Sequence, residues 1–178
     1  MFFQTPRLTI RAFLPSDLEP FVAYRSLPEV AVLQTWEDYS LERGQQLLER
    51  LQTSTPFTPN TPYQYAVALE GKMIGDLYCK LDEAGQQAEI GMTFDPTYWG
   101  KGYASEAVRG LLRHLFTEIG LHRVCALTDP RNHPTQKLLE RVGMRLEGHF
   151  VKSLWFKGEW VDDLHYAILR EEWFLQNP

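Results

Sequence analysis

Apolar and polar side chains alternate along Leu8-Thr9-Ile10-Arg11-Ala12-Phe13, the two-residue period of a half-buried strand. After Pro15, Ser16 and Glu19 stand at capping-box spacing and predict a short helix toward Tyr24, with Pro20 tolerated in its first turn. From Ser40 to Leu51 the period lengthens, and Leu41, Leu47, Leu48 and Leu51 gather mostly on one helical face. The stretch TSTPFTPNTP that follows holds three prolines and many hydroxyls, which predicts a surface loop. Tyr63 to Leu69 and Met73 to Leu81, joined by Glu70-Gly71-Lys72, have the pattern of a β-hairpin, and Ala88 to Phe94 forms the next strand after turn residues Asp82 to Gln87.

In the second half, Ala104, Ala107, Val108, Leu111, Leu112, Leu115, Phe116 and Ile119 recur at intervals of three and four, which predicts an amphipathic helix stopped by a left-handed Gly120. Arg123 to Thr128 predicts a short strand. Thr135 to Val142 predicts a helix closed by Gly143, and Leu146 to Phe156 with Glu159 to Leu169 predicts a long hairpin turning at Lys157-Gly158. A run of antiparallel strands followed by a strand-helix-strand unit implies an α+β fold: a mixed, mostly antiparallel sheet of seven strands with helices on both faces.

Length and charge narrow the function. The 178 residues suit one domain, 1–178, and the apolar share of 44% is that of a globular protein. No apolar run approaches the ~20 residues of a membrane span, and MFFQTPRL lacks the pattern of a signal peptide. Cys79 and Cys125 stand far apart without metal-ligand spacing, so no metal is expected and a reducing cytoplasm fits. The formal net charge of −5 argues against nucleic acid as a partner and accommodates a cationic one.

The stretch Asp95 to Ala107, DPTYWGKGYASEA, places two glycines and a lysine just before the amphipathic helix. A P-loop would need four residues between its glycines and a Lys-Ser/Thr pair after the second. A dinucleotide fingerprint would need an abrupt turn from an early strand, whereas DPTYW intervenes and Ser105 stands at its last small position. The remaining readings are a plain tight turn and a loop whose N–H groups surround a diphosphate at the head of the helix, where orphan donors and positive partial charge make an anion site. Lys101 adds a full charge to the second.

WGKGYASEA, preceded by AEIGMTFDP and followed by Asn132-His133-Pro134-Thr135 and LLERVGM, resembles the GNAT N-acetyltransferases. TPRLTIRAF near the start and DDLHYAILREEW near the end resemble, more narrowly, the branch that acetylates the N-termini of ribosomal proteins. The resemblance covers nearly the whole chain and implies the GNAT fold, acetyl-coenzyme A as cosubstrate, and often a homodimer. It implies cofactor contacts at Gly100, Lys101, Gly102, Tyr103, Ala104 and Ser105 through main-chain N–H groups. Trp99 stands where the family's motif has Gln or Arg. The resemblance further implies that the pantetheine arm pairs with the free edge of the preceding strand at Met92, Thr93 and Phe94, as strand addition, with an N–H near Met92 or Thr93 holding the oxyanion and Gly91 fitting a bulge. Asn132 would contact the cofactor amides or cap its helix, Lys137 would approach the phosphates, and the Thr135 hydroxyl would stand where the sulfur departs.

Acyl transfer needs a neutral amine. An α-amino group of pKa about 7.7–8.0 is roughly one-seventh neutral at pH 7, whereas a lysine near 10.4 is neutral in about one molecule in 2500. A protein N-terminus is therefore an undemanding acceptor, and a small amine such as an aminoglycoside or polyamine is the alternative. A carboxylate base acting through water would suffice, with Glu89 the first candidate and His149 or His165 behind it, although His133, His149 and His165 all show no partner pattern. The resemblance implies that Trp36, Tyr39, Tyr98, Trp155 and Trp160, with Glu37, Asp38, Glu159, Asp162 and Asp163, lie in segments flanking the acceptor cleft, where an aromatic and acidic lining would suit a cationic amine. A noncatalytic acyl-coenzyme A sensor is the rival reading from another class.

Overall fold

A computed structural model describes residues 1–177. Its strands are β1 (Phe3–Gln4), β2 (Leu8–Arg11), β3 (Tyr63–Leu69), β4 (Lys72–Leu81), β5 (Gln87–Phe94), β6 (Arg123–Thr128), β7 (Arg145–Phe156) and β8 (Glu159–Leu169). Its helices are α1 (Leu18–Arg25), α2 (Pro28–Ala31), α3 (Leu41–Thr53), α4 (Tyr103–His114), α5 (His133–Arg141) and α6 (Arg170–Gln176). The strands form one mixed sheet in the order β1-β2-β3-β4-β5-β6-β8-β7, antiparallel throughout except where β5 meets β6. The count is eight where the sequence pattern predicts seven. The extra strand is the two-residue β1, too short to show a period, which pairs Phe3 with Ile10 of β2.

Tyr65 and Leu77 are cross-strand partners, and through Phe57 the Tyr65 ring meets His114 of α4. Asp76, next to Leu77 and so on the opposite face, accepts a hydrogen bond from Tyr24 of α1. Helix α4 thus covers one face of the sheet, and α1 covers the other. Helix α3 packs on α1 where Gly44 brings the backbones together: a Cβ there would lie 2.7 Å from Val22 and 2.8 Å from Leu18.

Several ends match the sequence pattern. Ser40 caps α3 by accepting from the Arg43 N–H at 3.2 Å, and Gly120 and Gly143 both adopt the left-handed conformation expected of them. The capping box at Ser16 and Glu19 does not form. Asp17 takes the capping role instead, because its carboxylate accepts from the Leu14 N–H at 2.7 Å and pairs with Arg11. Helix α5 starts at His133 rather than Thr135, and α6 follows β8 directly, started by Glu172 accepting from the Leu169 N–H at 2.8 Å.

One buried group is out of keeping with the rest of the core. Among the described residues, the Tyr65 hydroxyl is buried with no hydrogen-bond partner, its ring wedged between Phe2 and Tyr63 at centroid distances of 5.0 and 4.9 Å. A stranded hydroxyl opposes folding. Tyr65→Phe is therefore expected to stabilise the protein by about 1 kcal/mol, a rise of about 2–4 °C in the thermal midpoint for a chain of this size. A lowered midpoint would mean that the oxygen has a partner after all.

Candidate functional site

Strands β5 and β6 pair over a short register, Gln87 with Arg123, Ala88 with Val124 and Glu89 with Cys125, and then part. Beyond Glu89, β5 stays on β4 as far as Phe94 opposite Gly75, while β6 stays on β8 as far as Thr128 opposite Leu164. The edge of β5 from Ile90 to Phe94 consequently faces a gap in the sheet, with Thr93 and Phe94 buried and Met92 half-buried. Main-chain groups along such an edge require partners from outside the sheet. The expected bulge at Gly91 is absent, since the β4–β5 register runs unbroken. Gly91 instead lies against Tyr78, its cross-strand partner, whose Cβ would be 3.6 Å from any Cβ placed there.

The loop after β5 is held by its own side chains. The Asp95 carboxylate accepts from the Thr97 N–H at 2.8 Å, and the Trp99 indole N–H donates to the Phe94 carbonyl at 2.9 Å, tying the loop to the strand end. Gly100 (φ 73°) and Gly102 (φ 80°) are both left-handed, and a Cβ at Gly100 would meet nothing within 4 Å. Gly102 is the N-cap of α4 and has no side chain with which to cap it. The first-turn amides of Tyr103, Ala104 and Ser105 therefore have no intrahelical acceptor. Lys101 donates to the Thr97 carbonyl at 2.9 Å and lies over the Tyr98 ring.

Arg7 is a loop neighbour that sequence reasoning missed. Its guanidinium stacks on Tyr103 at 4.4 Å, donates to the Lys101 carbonyl at 3.2 Å and would lie 3.5 Å from a Cβ at Gly102. Glu106 fixes it there, accepting from the Thr5 hydroxyl, the Arg7 N–H and the Arg7 guanidinium. Partial burial works against the Glu106 charge, but the bonds from Thr5 and Arg7 outweigh it and hold the carboxyl below its ordinary range. Arg7 precedes a strand near the N-terminus, and nothing in local spacing ties it to a loop so far along the chain.

Because β5 and β6 are parallel, α4 and α5 both begin beyond the same end of the sheet, one on each side of the gap. Asn132 is the N-cap of α5, its side-chain oxygen accepting from the Thr135 N–H at 3.2 Å. Thr135 sits half-buried in the first turn, and Lys137 is exposed. The two helices touch, with Arg109 of α4 donating to the Arg141 carbonyl at 3.0 Å.

Glu89 stands at the closed end of the gap, exposed, with Lys80 and Cys125 as its cross-strand partners. On that face follow Tyr78 and Asp76 of β4. The Tyr78 phenol is raised above its usual range by burial first and by the Glu89 charge second. On the far bank Leu127 pairs with His165. His165 and His149 do have partners, contrary to the sequence reading: His165 Nε2 lies 2.9 Å from Asp163 Oδ2 and His149 Nε2 lies 2.6 Å from Asp162 Oδ2.

The expected acidic lining is not formed. Trp36 and Tyr39 do wall a cavity of about 310 Å³ on this face, but its charged residues are Arg25, Arg43 and Arg50. Glu37 and Asp38 are exposed outside it, Glu159 pairs with Arg131, and Asp162 and Asp163 are taken by the two histidines. Trp155 and Trp160 meet edge to face at 5.4 Å on the exposed end of the β7–β8 hairpin, and Tyr98 packs edge-on to Tyr103. The hairpin turn reaches back to α2, where Lys157 donates to the Ala31 carbonyl at 2.9 Å.

The sequence matches the model of the acetyltransferase (GNAT) domain family over residues 7–145. The chain belongs to the GNAT acetyltransferase family. The uncharacterized N-acetyltransferase YnaD of Bacillus subtilis (strain 168) is 47% identical to it over 85 residues, 48% of this chain and 50% of that protein. The chain thus spans about half the length of that relative. The crystal structure of a GNAT-family acetyltransferase from Bacillus anthracis shares this GNAT fold over 96% of this chain and 99% of that one, with TM-score 0.87 and 32% identity. RimL, a ribosomal L7/L12 α-N-protein acetyltransferase solved with coenzyme A, shares the fold over 93% of this chain and 95% of its own, with TM-score 0.82 and 19% identity.

Proposed function

We propose that this chain transfers an acetyl group from acetyl-coenzyme A to a primary amine, with an α-amino group as the acceptor the chemistry favours. The observation that carries the reading is the gap between β5 and β6 with a helix N-terminus on each side, one of them at the head of a loop with two left-handed glycines. Acetyl-coenzyme A supplies an activated acyl carbon and a thiolate leaving group. The amides of Gly100 to Ser105 offer donors to its diphosphate, with Arg7 as an added cation beside the loop. The open space at Gly100 leaves room for such an anion, and the free edge at Met92 to Phe94 offers main-chain groups to the amides of the pantetheine arm. Asn132, already spent in part as the N-cap, would contact those amides with its remaining donors, and Lys137 is free to reach a phosphate.

At the reacting centre, an N–H of Met92 or Thr93 polarises the thioester carbonyl and holds the oxyanion as the amine nitrogen attacks. Glu89, at the closed end of the gap, takes the amine proton directly or through water. The C–S bond then breaks, and the Thr135 hydroxyl in the first turn of α5 hydrogen-bonds the departing sulfur. The lower pKa of an α-amino group is what favours a protein N-terminus over a polyamine or aminoglycoside.

The test is calorimetric titration with coenzyme A, followed by free-thiol release from acetyl-coenzyme A with N-terminal peptides and with small amines. Saturable binding and thiol release with an α-amine peptide are expected. Binding with no release on any amine would replace the enzyme by an acyl-coenzyme A sensor, and no binding by folded protein would remove both.

A further inference from the structure

The cavity on the α1 face makes a demand on the acceptor that the chain's net acidity hides. Its lining holds Arg25, Arg43 and Arg50 and no carboxylate. Arg25 forms an ion pair with Asp76 at 2.6 Å and is packed over Trp36 and Phe21 at 4.4 and 4.5 Å, so its charge is spent. Among the described residues, no carboxylate lies within ion-pairing distance of Arg43 or Arg50. They sit seven residues apart, on one face of α3. Arg43 is steadied over the Tyr39 ring at 5.2 Å, and Gln46, between the two, is held by Glu42. Two unpaired guanidinium groups turned on one cavity form a fork for a carboxylate or phosphate.

The cavity is joined to the gap through the sheet. Gln64, in its wall, pairs across to Tyr78 of β4, and Tyr78 pairs across to Gly91 of β5 on the same face. Two strand spacings separate Gln64 from Gly91, roughly 10 Å. We propose that Arg43 and Arg50 bind an anionic group of the acceptor, a carboxylate or phosphate held roughly 10 Å from the amine that attacks at the gap. This inference rests on the N-acetyltransferase reading above and gives it a substrate class: amines that also carry an anion, such as peptides with an acidic residue near the N-terminus. It disfavours polyamines, which would bring only positive charge to two arginines.

The experiment compares Ala-Ala-Glu-amide with Ala-Ala-Gln-amide, and Ala-Ala-phosphoserine-amide with Ala-Ala-Ser-amide, as acceptors. The anionic member of at least one pair is expected to have a kcat/KM about ten-fold or more above its neutral partner. Which pair shows the larger preference tells carboxylate from phosphate. In R43Q/R50Q the members of each pair are expected to converge to within about two-fold, and R43K/R50K should keep part of the preference. Both side chains are exposed, so the variants should fold, and circular dichroism checks this. Acetyl transfer without an anion preference, or with a preference that survives R43Q/R50Q, overturns the inference while leaving the enzyme intact. Calorimetry with the same peptides separates the two readings: arginine-dependent binding of the anionic peptide without thiol release supports the cavity and removes the enzyme, and no binding together with no transfer overturns the inference.

Discussion

Asp76→Ala is expected to cost about 3–5 kcal/mol of stability, the range for removing one partner of a buried ion pair. For a chain of this size that is a fall of about 6–20 °C in the thermal midpoint. The Asp76 side chain is 1% exposed and is the hub of a closed network. It accepts from Tyr24 at 2.5 Å, from Arg25 at 2.6 and 3.3 Å and from Gln64 at 2.9 Å. Burial pushes the Tyr24 phenol well above its usual range, and the Asp76 charge pushes it further, so Tyr24 remains a donor. With the carboxylate removed, the Arg25 guanidinium would be left charged under Trp36 and Phe21, and the Tyr24 hydroxyl would lose its acceptor. Tyr24→Phe, which leaves the ion pair in place, should cost only about 1–2 kcal/mol. Urea denaturation of the two variants beside the parent decides the matter. A loss below about 1 kcal/mol for Asp76→Ala would mean that water enters the network and Arg25 is not buried as described.

The same network shows what a sequence conceals. The alternation in β4 announces a strand, and the placement of Asp76 on the polar side of that alternation is legible. Its partners Tyr24 and Arg25 are not, because their separation of 52 and 51 residues is closed only by the packing of α1 on the sheet. Local signals survive better. Gly100, Gly102, Gly120 and Gly143 are all left-handed, which is what a glycine at a loop or helix end most often means. The glycine loop and the first turn of α4 could be read for this reason, since their geometry is set by neighbours in the chain.

The acceptor side failed where it depended on which way side chains face. Glu37 and Asp38 flank Trp36 in sequence but point away from the cavity that Trp36 walls. The arginines that do line it were readable in principle: Arg43, Gln46, Leu47 and Arg50 follow the helical spacing of three, four and seven. They border the leucine stripe, whose apolar pattern dominates that helix. The Asp162 partner of His149 depends on the β7–β8 register, which shifts between Leu146 and Gly148 and again between Phe150 and Leu154, whereas Asp163 and His165 stand two apart on one face of β8. No alternation rule gives the position of such a shift.

Glu89→Gln is expected to lower kcat/KM about 100-fold or more, the usual contribution of a positioned general base. Its effect on stability should stay within about 0.5 kcal/mol, because the side chain is exposed. The affinity for coenzyme A should stay within about two-fold, since the diphosphate loop and the free edge of β5 begin beyond it. Glutamine keeps the size and the hydrogen-bonding oxygen but cannot take a proton at pH 7, so a loss confined to turnover isolates proton transfer from positioning. The residual activity should rise with pH more steeply than that of the parent, as a larger share of the amine is neutral before it binds. His165, on the far bank beside Leu127, is a second group placed to compete for the role, with Asp163 fixing its ring. Parent-like turnover in Glu89→Gln, together with a large loss in His165→Gln, would move the base across the gap to β8. Because Glu89 occupies the last paired position before the strands part, the first result would place proton removal at the point where the sheet opens.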